Sequence, residues 1–315
     1  MSNIPGFNID SQWILTRRGS KNTVDPFKPY SYFNEKECTP SGSIEEVSTI
    51  LLVNNECPFR CLMCDLWKNT TDEPVPAGAI PEQIKFALSR LSPAKHLKLY
   101  NSGSFFDPRA IAISDYEEIA SLLQGFETVI VESRPNFINE NSLLFNKLLK
   151  PELQVAIGLE TVHPQVLQEL NKQMTLDNFE QSVSFLRTNG IATRAFILLR
   201  PPFLSESEGV IWAKKSIDYA FETGVSSCII IPVRAGNGAL EDLASNGYFE
   251  SPDVKSLENV VEYGIRLKKG LVYSDLWDID NFSTCKKCME ARKNRLLSMN
   301  LSQLPVPPIS CSCSN

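Results

Sequence analysis

The chain has 315 residues, 43% hydrophobic and 22% charged, with a formal net charge of -6 and nine cysteines. These are the proportions of an ordinary globular protein, with room for one (β/α) barrel-type domain plus extensions or for two small domains, and nothing in them points to a membrane. The acidic balance counts against a protein that must grip a polyanion, and cysteines that cluster rather than spread point to metal ligation in a reducing compartment, by default the cytoplasm.

Residues 1–47 are polar, with Pro26, Pro29 and Pro40 and an aromatic cluster at Phe27, Tyr30, Tyr32 and Phe33. No basic segment followed by an apolar stretch opens them, so no signal peptide is expected, and no apolar run of the chain approaches the length that spans a bilayer. They predict an irregular N-terminal extension draped over the fold, with Cys38 as a surface thiol without a role. Residues 48–55 are short, apolar and β-branched and end in polar residues, the pattern of a buried strand opening into a loop. That loop, residues 56–67, carries Cys57, Cys61 and Cys64 in the spacing C-x3-C-x2-C. Three thiolates this close can ligate three irons of one [4Fe-4S] cluster and leave the fourth iron open for chemistry. Zinc is the alternative, but structural zinc prefers paired C-x2-C knuckles and a fourth ligand is missing nearby. A disulfide is disfavoured by the odd number of cysteines in the loop.

Helical and strand patterns then alternate. Helices are predicted over 78–91, 114–123, 141–149, 176–188 and 206–223, a strand that breaks into a small-residue loop over 96–108, and strands near 128–133, 153–161, 193–202 and 226–234. With the strand before the cysteine loop this makes six strands, each apolar enough to be buried on both faces. The predicted fold class is α/β: a partial (β/α)6 TIM-type barrel over 48–235, with the irregular N-terminal extension and a small cysteine-containing C-terminal extension over 236–315. Cys228 reads as a small core residue inside the sixth strand. The C-terminal extension predicts a helix over 256–268, a strand over 270–278, a C-x2-C knuckle at Cys285 and Cys288, a helix rich in Arg and Leu, and a proline-rich tail with Cys311 and Cys313. Four thiolates suffice for a closed zinc site or an auxiliary iron-sulfur cluster. The basic runs Arg17, Arg18, Lys21 and Lys286, Lys287, Arg292, Lys293, Arg295 read as solvated faces.

Parallel α/β folds collect functional groups at the carboxyl ends of their strands. After the cysteines these ends carry Asn101, Ser102, Gly103 and Ser104, a small-residue turn suited to holding the charged end of an amino acid, then Glu132, Glu160 and, within the fifth predicted strand, Arg194. Each carboxylate at the barrel mouth needs a partner: a ligand on one reading, Arg134, Arg194 or Arg200 on the other. His96 and His163 are the only histidines and read as structural.

The pattern C-x3-C-x-M-C resembles the radical S-adenosylmethionine (SAM) superfamily. The succession CPFRCLMCDLW, LYNSGSFFDP, VESRP, GLET and LLRPPFLSE, with C-x2-C and C-x-C near the C-terminus, is similar to its Elp3/MiaB/NifB-like group, and within it to the branch containing the archaeosine synthase radical SAM subunit. The resemblance implies a [4Fe-4S] cluster on Cys57, Cys61 and Cys64 that binds SAM and cleaves it reductively, giving a radical that takes a hydrogen atom from substrate. It further implies Met63 near the adenine, Asn101, Ser102, Gly103 and Ser104 at SAM's amino group, and Glu132, Glu160 and Arg194 lining SAM or substrate. A one-electron reductant such as flavodoxin or ferredoxin is the implied partner. The substrate is left open between a small molecule, a carrier-bound group and a tRNA base, the last disfavoured by the acidic charge. The reading from another class is a non-catalytic zinc-binding or RNA-associated accessory protein that retains the barrel.

Overall fold

The computed structural model describes residues 9–283 and 285–314; the first eight residues of the expected extension lie outside them. Eight strands form a single sheet in sequence order: β1 (Ser31–Cys38), β2 (Ile44–Leu51), β3 (His96–Tyr100), β4 (Thr128–Ser133), β5 (Glu152–Glu160), β6 (Ala192–Leu199), β7 (Ser227–Pro232) and β8 (Leu271–Ser274). β2 to β8 run parallel, and β1 pairs antiparallel with β2 in the register Ser31↔Leu51 to Cys38↔Ile44. The helices are α1 (Ser11–Leu15), α2 (Ala79–Leu88), α3 (Tyr116–Leu122), α4 (Glu140–Leu148), α5 (Pro164–Glu169), α6 (Leu176–Thr188), α7 (Glu206–Thr223), α8 (Ala239–Ser245), α9 (Val254–Leu267) and α10 (Met289–Ser302).

Local chemistry explains the best-formed helices. The Ser205 hydroxyl accepts from the Glu208 backbone while the Glu208 carboxylate accepts from the Ser205 backbone, a capping box that starts α7. Gly224, at φ +99°, ends it in the left-handed conformation that a side chain would resist. Thr175 and Asn178 open α6 the same way. The outer faces of the parallel strands bury Leu97, Leu99, Val129, Val131, Val155, Ile157 and Ile197 against this helical layer. Cys228 is fully buried among them.

Three expectations are corrected. The extension is not irregular throughout, because residues 31–38 add an antiparallel strand whose polar sequence hid it. Cys38 closes that strand at 3% exposure, and its carbonyl accepts from the Tyr273 hydroxyl of β8, so the sheet curls until its two edges meet side chain to backbone. Arg292 and Arg295 are not a solvated face. Both are buried, Arg292 ion-paired to Glu258 and Arg295 to Glu258 and Glu262, binding α10 to α9.

The curl encloses a charged layer. Glu37 of β1 accepts from Lys98 of β3 at 2.5 Å and from Arg194 of β6, while Lys98 also reaches Glu35 at 2.9 Å and Arg194 also reaches Gln154 of β5. Burial alone would raise the Glu37 carboxyl, but Arg194 and Lys98 overturn that and hold it at about 2. The layer is an ionic floor to the barrel.

Candidate functional site

The cysteine loop leaves the carboxyl end of β2 with its backbone fastened from several sides. Leu62 N–H donates to the Leu170 carbonyl at 2.9 Å, the Asn171 amide donates to the Arg60 carbonyl at 2.7 Å, and the Asn237 amide donates to the Leu62 carbonyl at 2.7 Å. On the outer side Glu56 gathers Arg18 at 2.6 Å, Lys21 at 2.9 Å and Arg60 at 3.1 Å, so the N-terminal segment clasps the loop. Met63 is half-buried against the cluster built around Leu62, Val166 and Leu240.

The next two strand ends interlock beside it. A methyl group on Gly103 would stand 3.6 Å from the Cys57 β-carbon, which places the turn of Asn101, Ser102, Gly103 and Ser104 directly against the cysteine loop. The Glu132 carboxylate accepts the Asn101 N–H at 2.6 Å, and the Ser104 hydroxyl accepts the Arg134 N–H at 3.0 Å. Burial pushes the Glu132 carboxyl up to about 7, against the N–H groups of Asn101, Gly103 and Ser102, which favour its ionised form. Glu132 therefore shapes the turn from below. Asn101 is fully buried, yet neither atom of its side-chain amide has a hydrogen-bond partner among the described residues.

Arg134 is the residue the sequence reading passed over as a mere ion-pair partner. It is 6% exposed, its guanidinium donates to the Cys61 sulfur at 3.1 Å, and it lies 3.7 Å over the Phe59 ring. Tyr30, from the N-terminal extension, also comes to this mouth: burial pushes its pKa up to about 12, Ser102 working against the rise and the charges of Glu132, Asp65 and Cys64 adding to it. The only sequence signal for either was position, Arg134 one step past a strand end and Tyr30 in an aromatic cluster.

The other expected site residues are placed as follows. Glu160 ends β5 at φ +65° and is ion-paired with Lys172, both buried. Arg194 is third in β6, about 16 Å of strand below Leu199 at the carboxyl end, and belongs to the ionic floor with Glu37 rather than to the cysteine loop. His163 caps α5 by accepting from Val166 N–H at 3.2 Å, and His96 pairs with Glu45 at 2.9 Å. Cys285, Cys288, Cys311 and Cys313 gather with all four sulfurs within 4.8 Å of one another.

The mouth can hold a metal cluster on chemical grounds. Cys57, Cys61 and Cys64 supply three free thiols on one loop, and they are not among the described groups drawn within 4.8 Å of one another, as ligands of a single ion would be. Burial pushes the Cys64 thiol up to about 12, so its thiolate calls for positive charge. The turn packed against that loop carries the unpartnered Asn101 amide, a donor and an acceptor without a partner among the described residues.

No family model matches the chain. It is 25% identical to an uncharacterised protein of Methanocaldococcus jannaschii, over 94% of this chain and 87% of that one. It is 24% identical to archaeosine synthase subunit beta of Methanosarcina acetivorans, over 80% of this chain and 77% of that one. Among solved structures, methylornithine synthase (PylB) superposes with a TM-score of 0.54 at 13% identity, over 76% of this chain and 68% of that one. Streptococcus suis SuiB bound to S-adenosylmethionine superposes at 0.50 and 11% identity, over 71% of this chain, which spans about half of SuiB at 49%. These structures share the fold. In fold the chain is similar to these structures, and in sequence it is similar to archaeosine synthase subunit beta.

Proposed function

We propose that the chain is a radical SAM enzyme whose [4Fe-4S] cluster is held by Cys57, Cys61 and Cys64. When bound, the cluster supplies the electron for reductive cleavage of SAM, and SAM so cleaved takes a hydrogen atom from the substrate. The protein's own groups position and exclude. Asn101 offers its buried amide, and the backbone of Ser102 to Ser104 its polar groups, to the amino-acid end of SAM, on a turn that Glu132 holds in shape. Met63 borders the adenine, Arg134 neutralises the thiolate of Cys61, and Tyr30 roofs the mouth against water. Glu160, neutralised by Lys172, lines the far side.

The observation that carries this reading is a loop of three free thiols, one already paired with a buried guanidinium, packed against the turn that carries the unpartnered Asn101 amide. The substrate reading stays with a small molecule, a carrier-bound group or a tRNA base, the net charge of -6 weighing against a polyanion. A cytoplasmic one-electron donor such as flavodoxin or ferredoxin completes the system.

The test is anaerobic reconstitution followed by reduction with dithionite in the presence of SAM. The expected result is a brown protein that forms 5'-deoxyadenosine, with both colour and product lost when the three loop cysteines become alanine. A protein that takes up no iron and forms no 5'-deoxyadenosine overturns the proposal.

A further inference from the structure

The second cysteine group stands apart from the barrel mouth, and its spacing says what it holds. Cys285 and Cys311 place their sulfurs 3.8 Å apart, and Cys288 and Cys313 place theirs 3.5 Å apart. Four thiolates at 2.3 Å from one tetrahedral zinc ion stand about 3.8 Å from each other. Thiolates on the four irons of a cubane sit at its corners, well beyond that spacing. The surroundings are also those of a closed, doubly negative zinc-thiolate centre. Arg292, 3% exposed, donates from Nε to the Cys288 sulfur at 3.3 Å, and Lys255 donates to the Cys313 carbonyl at 3.0 Å.

The chain path gives such an ion a task. The cysteine pairs are 26 and 25 positions apart, and α10 lies between them, packed against both β1 and β8 at the two edges of the curled sheet. From its last turns two carboxamides reach the free edge of β8. Asn300 accepts the Ser274 N–H at 2.8 Å and donates to the Ser274 carbonyl at 2.9 Å. Gln303 accepts the Val272 N–H at 2.8 Å and donates to the Val272 carbonyl at 3.0 Å. Alternate residues of an edge strand turn their backbone outward, and here each outward pair is answered by one side chain.

We propose that Cys285, Cys288, Cys311 and Cys313 bind a single zinc ion, which latches α10 across the open side of the barrel so that Asn300 and Gln303 cover the edge of β8. The ion joins the residue before α10 to the tail after it, so the helix cannot swing off either edge without breaking the centre.

The test uses the full chain carrying Cys57→Ala, Cys61→Ala and Cys64→Ala, so that the cluster reading and the zinc reading fail separately. Metal analysis should find one zinc per chain and no iron. After chelation, cobalt(II) alone should restore the visible bands of a tetrahedral cobalt-thiolate centre. Iron bound in place of zinc, or a protein that binds neither zinc nor cobalt, overturns the single-ion site. For the latch, hydrogen exchange is followed at the Val272 and Ser274 amides. In Asn300→Ala/Gln303→Ala zinc should stay at one per chain while protection falls about fivefold, one hydrogen bond's worth. Removing zinc from the otherwise unaltered chain should produce at least the same loss at these amides. Protection that survives zinc removal overturns the latch.

Discussion

Replacing Glu37 by glutamine tests whether the barrel floor is structural. The native carboxylate sits 9% exposed between Lys98 and Arg194, and the substitution leaves Arg194 buried against neutral partners and Lys98 with Glu35 as its remaining ion pair. A carboxyl drawn from 4.5 to about 2 is stabilised in its ionised form by about 3 kcal/mol, which falls at the lower end of the 3–5 kcal/mol seen when one partner is removed from a buried pair. For a chain of this size that is a fall in Tm of about 5 °C. The pH dependence carries a sign. Because the folded pKa is depressed, the contribution is complete above the unfolded value and drains away as pH falls from about 4.5 to about 2. Urea titrations of the native and Glu37→Gln chains at pH 7 and at pH 3 should therefore show a gap of about 3 kcal/mol that narrows in acid. A gap under about 1 kcal/mol at pH 7, or one that widens in acid, refutes the reasoning. A variant that keeps its stability but loses SAM binding would instead move Arg194 into the SAM site.

Three more outcomes follow from the mouth. Asn101→Ala should weaken SAM binding about tenfold, one charge-assisted hydrogen bond's worth, while stability to urea holds or rises, since the native amide is buried without a partner; calorimetric titration with SAM and a urea curve check the two halves, and unchanged affinity sinks the assignment. Arg134→Gln removes a buried cation from the Cys61 sulfur and should lower the cluster's reduction potential by on the order of 100 mV, the equivalent of about 2 kcal/mol for one electron; a redox titration followed by paramagnetic resonance reads it, and an unmoved potential contradicts the pairing. Glu132 has its folded pKa raised to about 7, so its neutral form is favoured in the native state and stability declines as pH climbs from about 4.5 to 7. Glu132→Gln should flatten that decline in the SAM-free protein, and a slope that survives the substitution assigns it to another group.

The parallel strands were legible because each carries closely spaced aliphatic residues between turn signals, and α6 and α7 because their capping residues, Thr175 and Ser205, stand in plain sequence. β1 was not, since its inward residues Glu35 and Glu37 read as solvent-facing until Lys98, 63 positions from Glu35, is brought across the barrel. The same holds for Arg292 and Arg295, whose partners Glu258 and Glu262 lie on another helix. At the mouth, the cysteines and the turn at Asn101 announce themselves by spacing and residue type. The contact of Arg134 with Cys61 spans 73 positions and exists only in the folded chain. Long-range pairing of charged groups leaves no local periodicity to read, and that is where sequence reasoning stopped.

The fastening of the cysteine loop also bears on the order in which the protein is made. During synthesis the three cysteines emerge together with the clasp of Arg18 and Lys21, but the carbonyl of Leu170 and the amide of Asn237 follow only after more than half of the chain has been added, 175 positions separating Asn237 from Leu62. Until that later sequence has folded, the backbone of the loop lacks the bonds to Leu170 and Asn237 that fix its path at Leu62. For the proposed cluster this makes iron loading a late step, governed by closure of the barrel rather than by the appearance of its ligands.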